Sequence, residues 1–373
     1  MSRRLMALAL LAAIVLAAGV YFYFPRPQPQ IGTRGGPDTS SANYAVVRVF
    51  YGTDRKAAAS PKTETFYGSE RTELQIGTCD VSIPRDHRMG AMERPSVLKL
   101  EFTEDPNRHI VIQEISPLDD KEFYKRVQQR ADKAAESQAF VFVHGFGTSF
   151  AEAARRTAQL SYDLGFDGVP MCFSWPSKGE ISEIAYQSDY DSARAGAADL
   201  KRFLENLKAR TTIKHVHLIA HSMGNQVLTD ALSEIALAGT STQSFHCDQL
   251  ILAAPDLDAA VFAKEIVPHM RAVANRVTLY ASRNDMALSY SQTLHQNLPR
   301  AGMAGDALVV IPGIDTIDVS QIDSSLVGHS YYAENESVIS DIYALLAKNL
   351  PPEKRKFLVR GERAGMAYWT FQK

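Results

Sequence analysis

The stretch Leu218–Leu228 reads LIAHSMGNQVL, and its division decides the fold. The run VHLIA, residues 216–220, is short and, apart from His217, apolar, as a strand buried on both faces would be. From Gly224 onward, Val227, Leu228, Ala231, Leu232 and Ile235 fall at helical spacing. Strand, tight turn and helix therefore meet at Ser222. The five residues Ala220-His221-Ser222-Met223-Gly224 follow the G-x-S-x-G elbow with alanine in the first glycine position. Such a turn lifts the serine hydroxyl off the sheet edge and tolerates only small residues two before and two after it. A plain turn would read the same way, so the rest of the chain must supply a base, an acid and anion-stabilising donors.

The same alternation extends outward on both sides. Apolar runs recur at AFVFV (139–143), VPMCF (169–173), LILAA (250–254), VTLYA (277–281) and ALVVI (307–311). Between them lie one-sided helical patterns, among them KEFYKRVQQRADKAA before Ala139 and the series Ala193, Ala197, Leu200, Leu204, Leu207. This predicts an α/β chain with a mostly parallel central sheet and flanking helices. Ahead of it, Val46–Tyr51, Leu74–Ile83, Val97–Phe102 and His109–Ile115 are strand-like and separated by turn residues, which predicts antiparallel N-terminal strands. A last amphipathic helix over Val338–Leu350 ends at Pro351. The expected organisation is a segment 1–24, a linker 25–43, one domain over 44–350 and a tail 351–373, basic and then aromatic, that packs back on the domain.

Leu5–Phe24 carries no charge and follows Arg3 and Arg4. At about 1.5 Å per residue it reaches about 30 Å, the thickness of a bilayer's hydrocarbon core. It is read as a transmembrane anchor that leaves the two arginines in the cytoplasm and the domain on the periplasmic or outer side of the inner membrane. A cleaved signal peptide with a cut near Ala17–Gly19, and so a secreted protein, is the alternative reading. Residues 25–42, rich in Pro, Gly, Ser and Gln, suit a flexible tether. The net charge of −2 gives no field for nucleic-acid binding. Three cysteines do not make a disulfide scaffold, and Cys172, inside an apolar run, reads as a buried small hydrophobe.

Several residues could complete the chemistry at Ser222. Val143-His144-Gly145-Phe146-Gly147 ends a buried strand in a glycine-bracketed turn, where backbone N–H groups of Phe146 and Met223 would form an oxyanion hole. An unassisted serine is a weak nucleophile and needs a base oriented by an acid, in the chain order Ser, Asp or Glu, His. Asp285, after the strand VTLYA, is the preferred acid, and Asp256, after LILAAP, is its rival. His329, in LVGHSYY before the final helix, is the preferred base over His295, in a helical stretch, and His269, which precedes Asp285. His221 is expected to point away from the serine beside it. Trp175, Pro176 and Tyr186 either line an acyl pocket or pack under a loop. Asp54 and Arg55 are expected to form a structural ion pair near the same rim. No H-E-x-x-H, Walker A or Cys-x-x-Cys is present, so neither metal nor cofactor is expected.

Together FVHGF, FSWPSKG (173–179), LIAHSMGNQVL, SRNDMALS (282–289) and VGHSYY, with VFYGTDR (49–55) and IPRDHRMG (83–90), resemble one family. It is the α/β-hydrolase family long known as domain of unknown function 900, of bacterial esterase- and lipase-like proteins. The resemblance covers about Val46 to Leu350. It implies an α/β-hydrolase fold with a serine triad, and carries Ser222, Asp285 and His329 over as nucleophile, acid and base. Within that family an elbow reading A-H-S-M-G is ordinary. The resemblance supplies no substrate; connections that look too short for a lipase lid point to a small- or medium-sized ester as partner. Acyl transfer, peptide cleavage by the same triad, and a membrane-tethered binding protein on a silent scaffold are the other readings.

Overall fold

Five of the apolar runs form the middle of one sheet. They are β4 (Gln138–Val143), β5 (Val169–Ser174), β6 (His215–His221), β7 (Cys247–Ala253) and β8 (Ala274–Ala281), all parallel, with β6 between β4 and β7. A computed structural model describes residues 43–60, 62–96, 101–239, 244–322 and 329–372. The segment Leu5–Phe24 and its tether lie outside the described residues. Among the described residues no helix is long and apolar enough to cross a membrane.

The sheet has eleven strands in the order β10-β11-β9-β8-β7-β6-β4-β5-β1-β2-β3. β1 (Tyr44–Ala57), β2 (Tyr67–Pro84) and β3 (Val111–Leu118) are antiparallel to one another, and β1 joins the centre by running parallel to β5. At the other end β9 (Asp315–Asp318) is parallel to β8, and the hairpin β10 (Leu358–Arg363) and β11 (Met366–Phe371) joins through β11. Residues after Pro351 thus reach the central sheet.

Alternation along the strands sends side chains to two helical layers. On one face Val141, Leu218 and Leu250 pack with helices α1 (Asp120–Ala131), α3 (Glu183–Arg210) and α4 (Gly224–Leu237), through Phe123, Leu204 and Val227. On the other, Phe142, Ile219 and Ile251 pack with α2 (Phe150–Asp163) and the later helix over Glu336–Lys348, through Leu160 and Ile342. The remaining helices are α5 (Ala259–Val261), α6 (Val267–Val273), α7 (Met286–Leu294), α8 (Tyr331–Glu334) and α9 (Glu336–Lys348). α2 begins where Ser149 caps it: its hydroxyl accepts from Glu152 N–H while the Glu152 carboxylate accepts from Ser149 N–H. Cys79, Cys172 and Cys247 are all buried and free.

Two expected strands are corrected. Residues 307–311 take no place in the ladder. Leu308, Val309 and Val310 are buried, but Gly305 and Gly313 on either side have left-handed backbone that turns the segment out of register. The strand beside β8 is instead Asp315–Asp318, and Thr316 Oγ1 donates to Val309 O at 2.8 Å. Burial, not pairing, accounts for that apolar run. Glu101 and Phe102 are not strand either, and residues 97–100 of that stretch lie outside the described residues.

Candidate active site

Ser222 leaves β6 with φ +52°, a left-handed conformation that costs a non-glycine residue about 1 kcal/mol or more. The surroundings impose it. Ser222 N–H donates to Ala253 O (3.0 Å), and Ser222 O accepts from the N–H of Asn225 (3.0 Å) and of Asp256 (3.3 Å). Asn225 Nδ2 also donates to Ser222 O at 2.9 Å. Gly224 starts α4 so close to the end of β4 that a Cβ there would lie 2.3 Å from His144 O. The serine therefore sits at the positive end of a helix, on a turn held from both neighbouring strands.

The loop after β4 lies directly against that turn. A Cβ on Gly145 would stand 2.9 Å from Ser222 Cβ and 3.0 Å from His221 Nδ1, so only glycine permits the approach. Gly147 has φ +65°. Among the described residues neither Phe146 N–H nor Met223 N–H donates to a protein acceptor.

Arg55 clamps the loop from beneath. Its Nε donates to Ser174 Oγ (2.9 Å), and Nη1 to Gly68 O and Ser177 O (2.9 Å each). Its Nη2 donates to Thr148 O (2.7 Å). Burial lowers its pKa to about 10, so it stays cationic near neutral pH. The expected ion pair with Asp54 does not form. Adjacent strand residues face opposite sides, and the buried Asp54 carboxyl has no hydrogen-bond partner among the described residues. Burial raises it to about 7.

His144 stacks on Trp175 with centroids 5.0 Å apart, and Trp175 Nε1–H donates to His144 O at 2.7 Å. Burial, then the charge of Arg55, lowers His144 to about 3, so it is neutral. Trp175 thus packs beneath the loop. Asp189, which no motif singles out, ties the loop to α3: it accepts from Ser177 Oγ (2.5 Å), Lys178 N (2.8 Å) and Gly147 N (3.4 Å).

Asp285 caps α7, accepting from Leu288 N–H through Oδ1 at 2.9 Å. Its Oδ2 lies 2.8 Å from His329 Nδ1. The carboxylate is fully buried while the imidazole is 17% exposed. Nδ1–H donates to Asp285, which makes Nε2 the basic nitrogen. His221 Nε2 donates to His329 O at 2.8 Å, and their rings are 4.5 Å apart. Ser222, His221, His329 and Asp285 are thus gathered at the strand ends.

Asp256 faces a different network. It takes Tyr186 OH (2.6 Å) on Oδ2, and Ser291 Oγ (2.5 Å) and Arg300 Nε (2.8 Å) on Oδ1. His295 Nδ1 donates to Ser291 O at 3.0 Å. Tyr186 also packs on Phe146, centroids 5.3 Å apart. Among the described residues no group of three or more His, Cys, Asp or Glu side chains is arranged to hold a metal.

No curated protein matches the chain. Among solved structures, the lin2722 gene product of Listeria innocua is 14% identical, covering 63% of this chain and 98% of that one, with a TM-score of 0.35. An inhibited esterase B from Lactobacillus rhamnosis is 11% identical, covering 94% and 98%, with a TM-score of 0.36. Values this low assign no activity. The sequence profile described as alpha/beta hydrolase of unknown function (DUF900) matches residues 119–348, more than half of the chain. With a mostly parallel sheet and helices on both faces, the chain belongs to that α/β hydrolase family.

Proposed function

We propose that this protein is a serine hydrolase of small or medium carboxylic esters, with Ser222 as nucleophile, His329 as general base and Asp285 as the acid that orients it. The observation that carries this reading is the 2.8 Å pairing of the buried Asp285 carboxylate with His329 Nδ1 beside the strained Ser222 turn. His329 Nε2 takes the proton from Ser222 Oγ as the oxygen attacks the ester carbonyl. The N–H groups of Phe146 and Met223 receive the oxyanion, and the α4 N-terminus adds favourable potential. The imidazolium, steadied by Asp285, returns its proton to the leaving alcohol. Water, activated by the same nitrogen, then releases the acid.

In the same reading Leu5–Phe24 anchors the domain at the inner membrane, facing the periplasm, through the tether 25–43. Alkaline carbonate washing should leave the chain in the membrane pellet; its release would remove the anchor.

The test of the chemistry uses the full chain and a fluorophosphonate probe. Labelling is expected for the wild type and lost in Ser222→Ala, with His329→Ala slowed by about 10³-fold or more. Folded wild-type protein that takes no label would overturn the reading.

A further inference from the structure

We infer that His221 is a positioning residue: it holds the base His329 in register with the nucleophile through a hydrogen bond to the His329 backbone carbonyl. This role rests on the serine-hydrolase reading and adds a residue to it. His221 Nε2 lies 2.8 Å from His329 O. A carbonyl only accepts, so the ring carries its proton on Nε2.

Three further contacts fix the donor. The His221 ring stacks on Tyr332, centroids 4.6 Å apart and 29° between planes. It meets the His329 ring at 4.5 Å. On its far side Nδ1 faces Gly145, where a Cβ would come within 3.0 Å. The charged or titratable groups around it are His329, Arg156 and His144, with Tyr332 on the stacked face. Burial, with help from His329 and Arg156, holds His221 well below the ordinary histidine range, so it stays a neutral donor.

The geometry divides labour at the base. Asp285 fixes the imidazole tautomer through Nδ1, and His221 fixes the backbone from which that imidazole hangs. His221 is also covalently next to Ser222. Any shift of the His329 segment relative to the nucleophile must therefore break or bend this bond. Without it the base keeps its acid partner but loses its distance from the serine. Misplacement of a reacting group by about 1 Å costs about 100-fold in rate.

The experiment compares His221→Phe and His221→Gln with wild type in the full chain, following p-nitrophenyl acetate hydrolysis and fluorophosphonate labelling, with thermal unfolding to count folded protein. Phenylalanine keeps the stack on Tyr332 and removes the donor. Glutamine can place an amide N–H near the position of Nε2. We expect His221→Phe to lower kcat by about 10- to 100-fold with KM changed less than about threefold, and His221→Gln to recover most of the loss. If His221→Phe does not fold, His221→Asn, whose amide is one carbon short, replaces it and should be slowed by about tenfold or more beside His221→Gln. An active wild type whose donor-less variant turns over equally fast overturns the inference, as does a glutamine variant as slow as the donor-less one. A wild type that is folded, unlabelled and inactive sinks the hydrolase reading itself, and the positioning role with it.

Discussion

Asp256 and Asp285 follow neighbouring strands, yet one is held by an arginine and the other by a histidine. Asp285→Asn should leave the α7 cap in place, since an amide oxygen still accepts from Leu288 N–H, but it favours the wrong imidazole tautomer. A fall in kcat of about 10⁴ with an unchanged melting temperature is expected from steady-state rates and thermal unfolding. Asp256→Ala should do the reverse. It strands Arg300, which is 3% exposed, and should cost about 3–5 kcal/mol in denaturant unfolding. Turnover per labelled site in the folded fraction should stay within about tenfold of wild type, because Asp256 does not touch His329. The serine was legible in the sequence because its turn constrains residues on both sides. Asp285 was only preferred there, since one-dimensional order cannot say which carboxylate reaches the imidazole. The sequence alone predicts His221 turned away from the serine. Its ring meets His329, a contact between residues 108 positions apart that no local pattern records.

Among the elements, the loop 144–148 is the one whose sequence reading depends on a contact. Its glycines were visible; that Gly145 lies against Ser222 Cβ was not. Gly145→Ala should push the loop off the serine and misdirect the Phe146 N–H. A loss of about 10²–10³ in kcat is expected, with destabilisation of about 1–3 kcal/mol, read from ester hydrolysis and denaturant unfolding. Wild-type turnover in that variant would remove the loop from the oxyanion hole. The central strands were legible because burial on both faces leaves few polar positions, such as His217 and Thr278, to interrupt the run. Residues 307–311 show the limit of that signal. An apolar run reports burial, and a segment bent by flanking glycines can be buried without pairing. The clamp of Arg55 was unreadable for a related reason: its partners are mostly backbone carbonyls, and every residue has one.

For the molecule as a whole, buried histidines contribute to the response to pH in two opposite senses. Burial lowers His144 to about 3 and His217 to about 4, against about 6.5 in an unfolded chain. Below about pH 6.5 the unfolded chain binds protons that these two refuse in the fold, so their contribution to stability falls as pH drops. His87 works in the opposite sense. Burial pulls it down, but hydrogen bonds to Asp163 and Glu93 outweigh this and raise it to about 9. Its contribution is complete below about pH 6.5 and is lost as pH rises through about 9. Melting temperature should therefore fall from pH 7 to 9.5 in the wild type, and fall less over that range in His87→Gln. An equal fall in both would take the alkaline response away from His87. The sheet's ordering also bears on how the chain is made. β1 leaves the ribosome more than a hundred residues ahead of its parallel partner β5, and the edge of β9 stays bare until residues 366–371 arrive. A polypeptide truncated before Leu358 would present that edge to whatever strand it meets, so a nonsense mutation there should yield aggregates rather than a folded shorter chain.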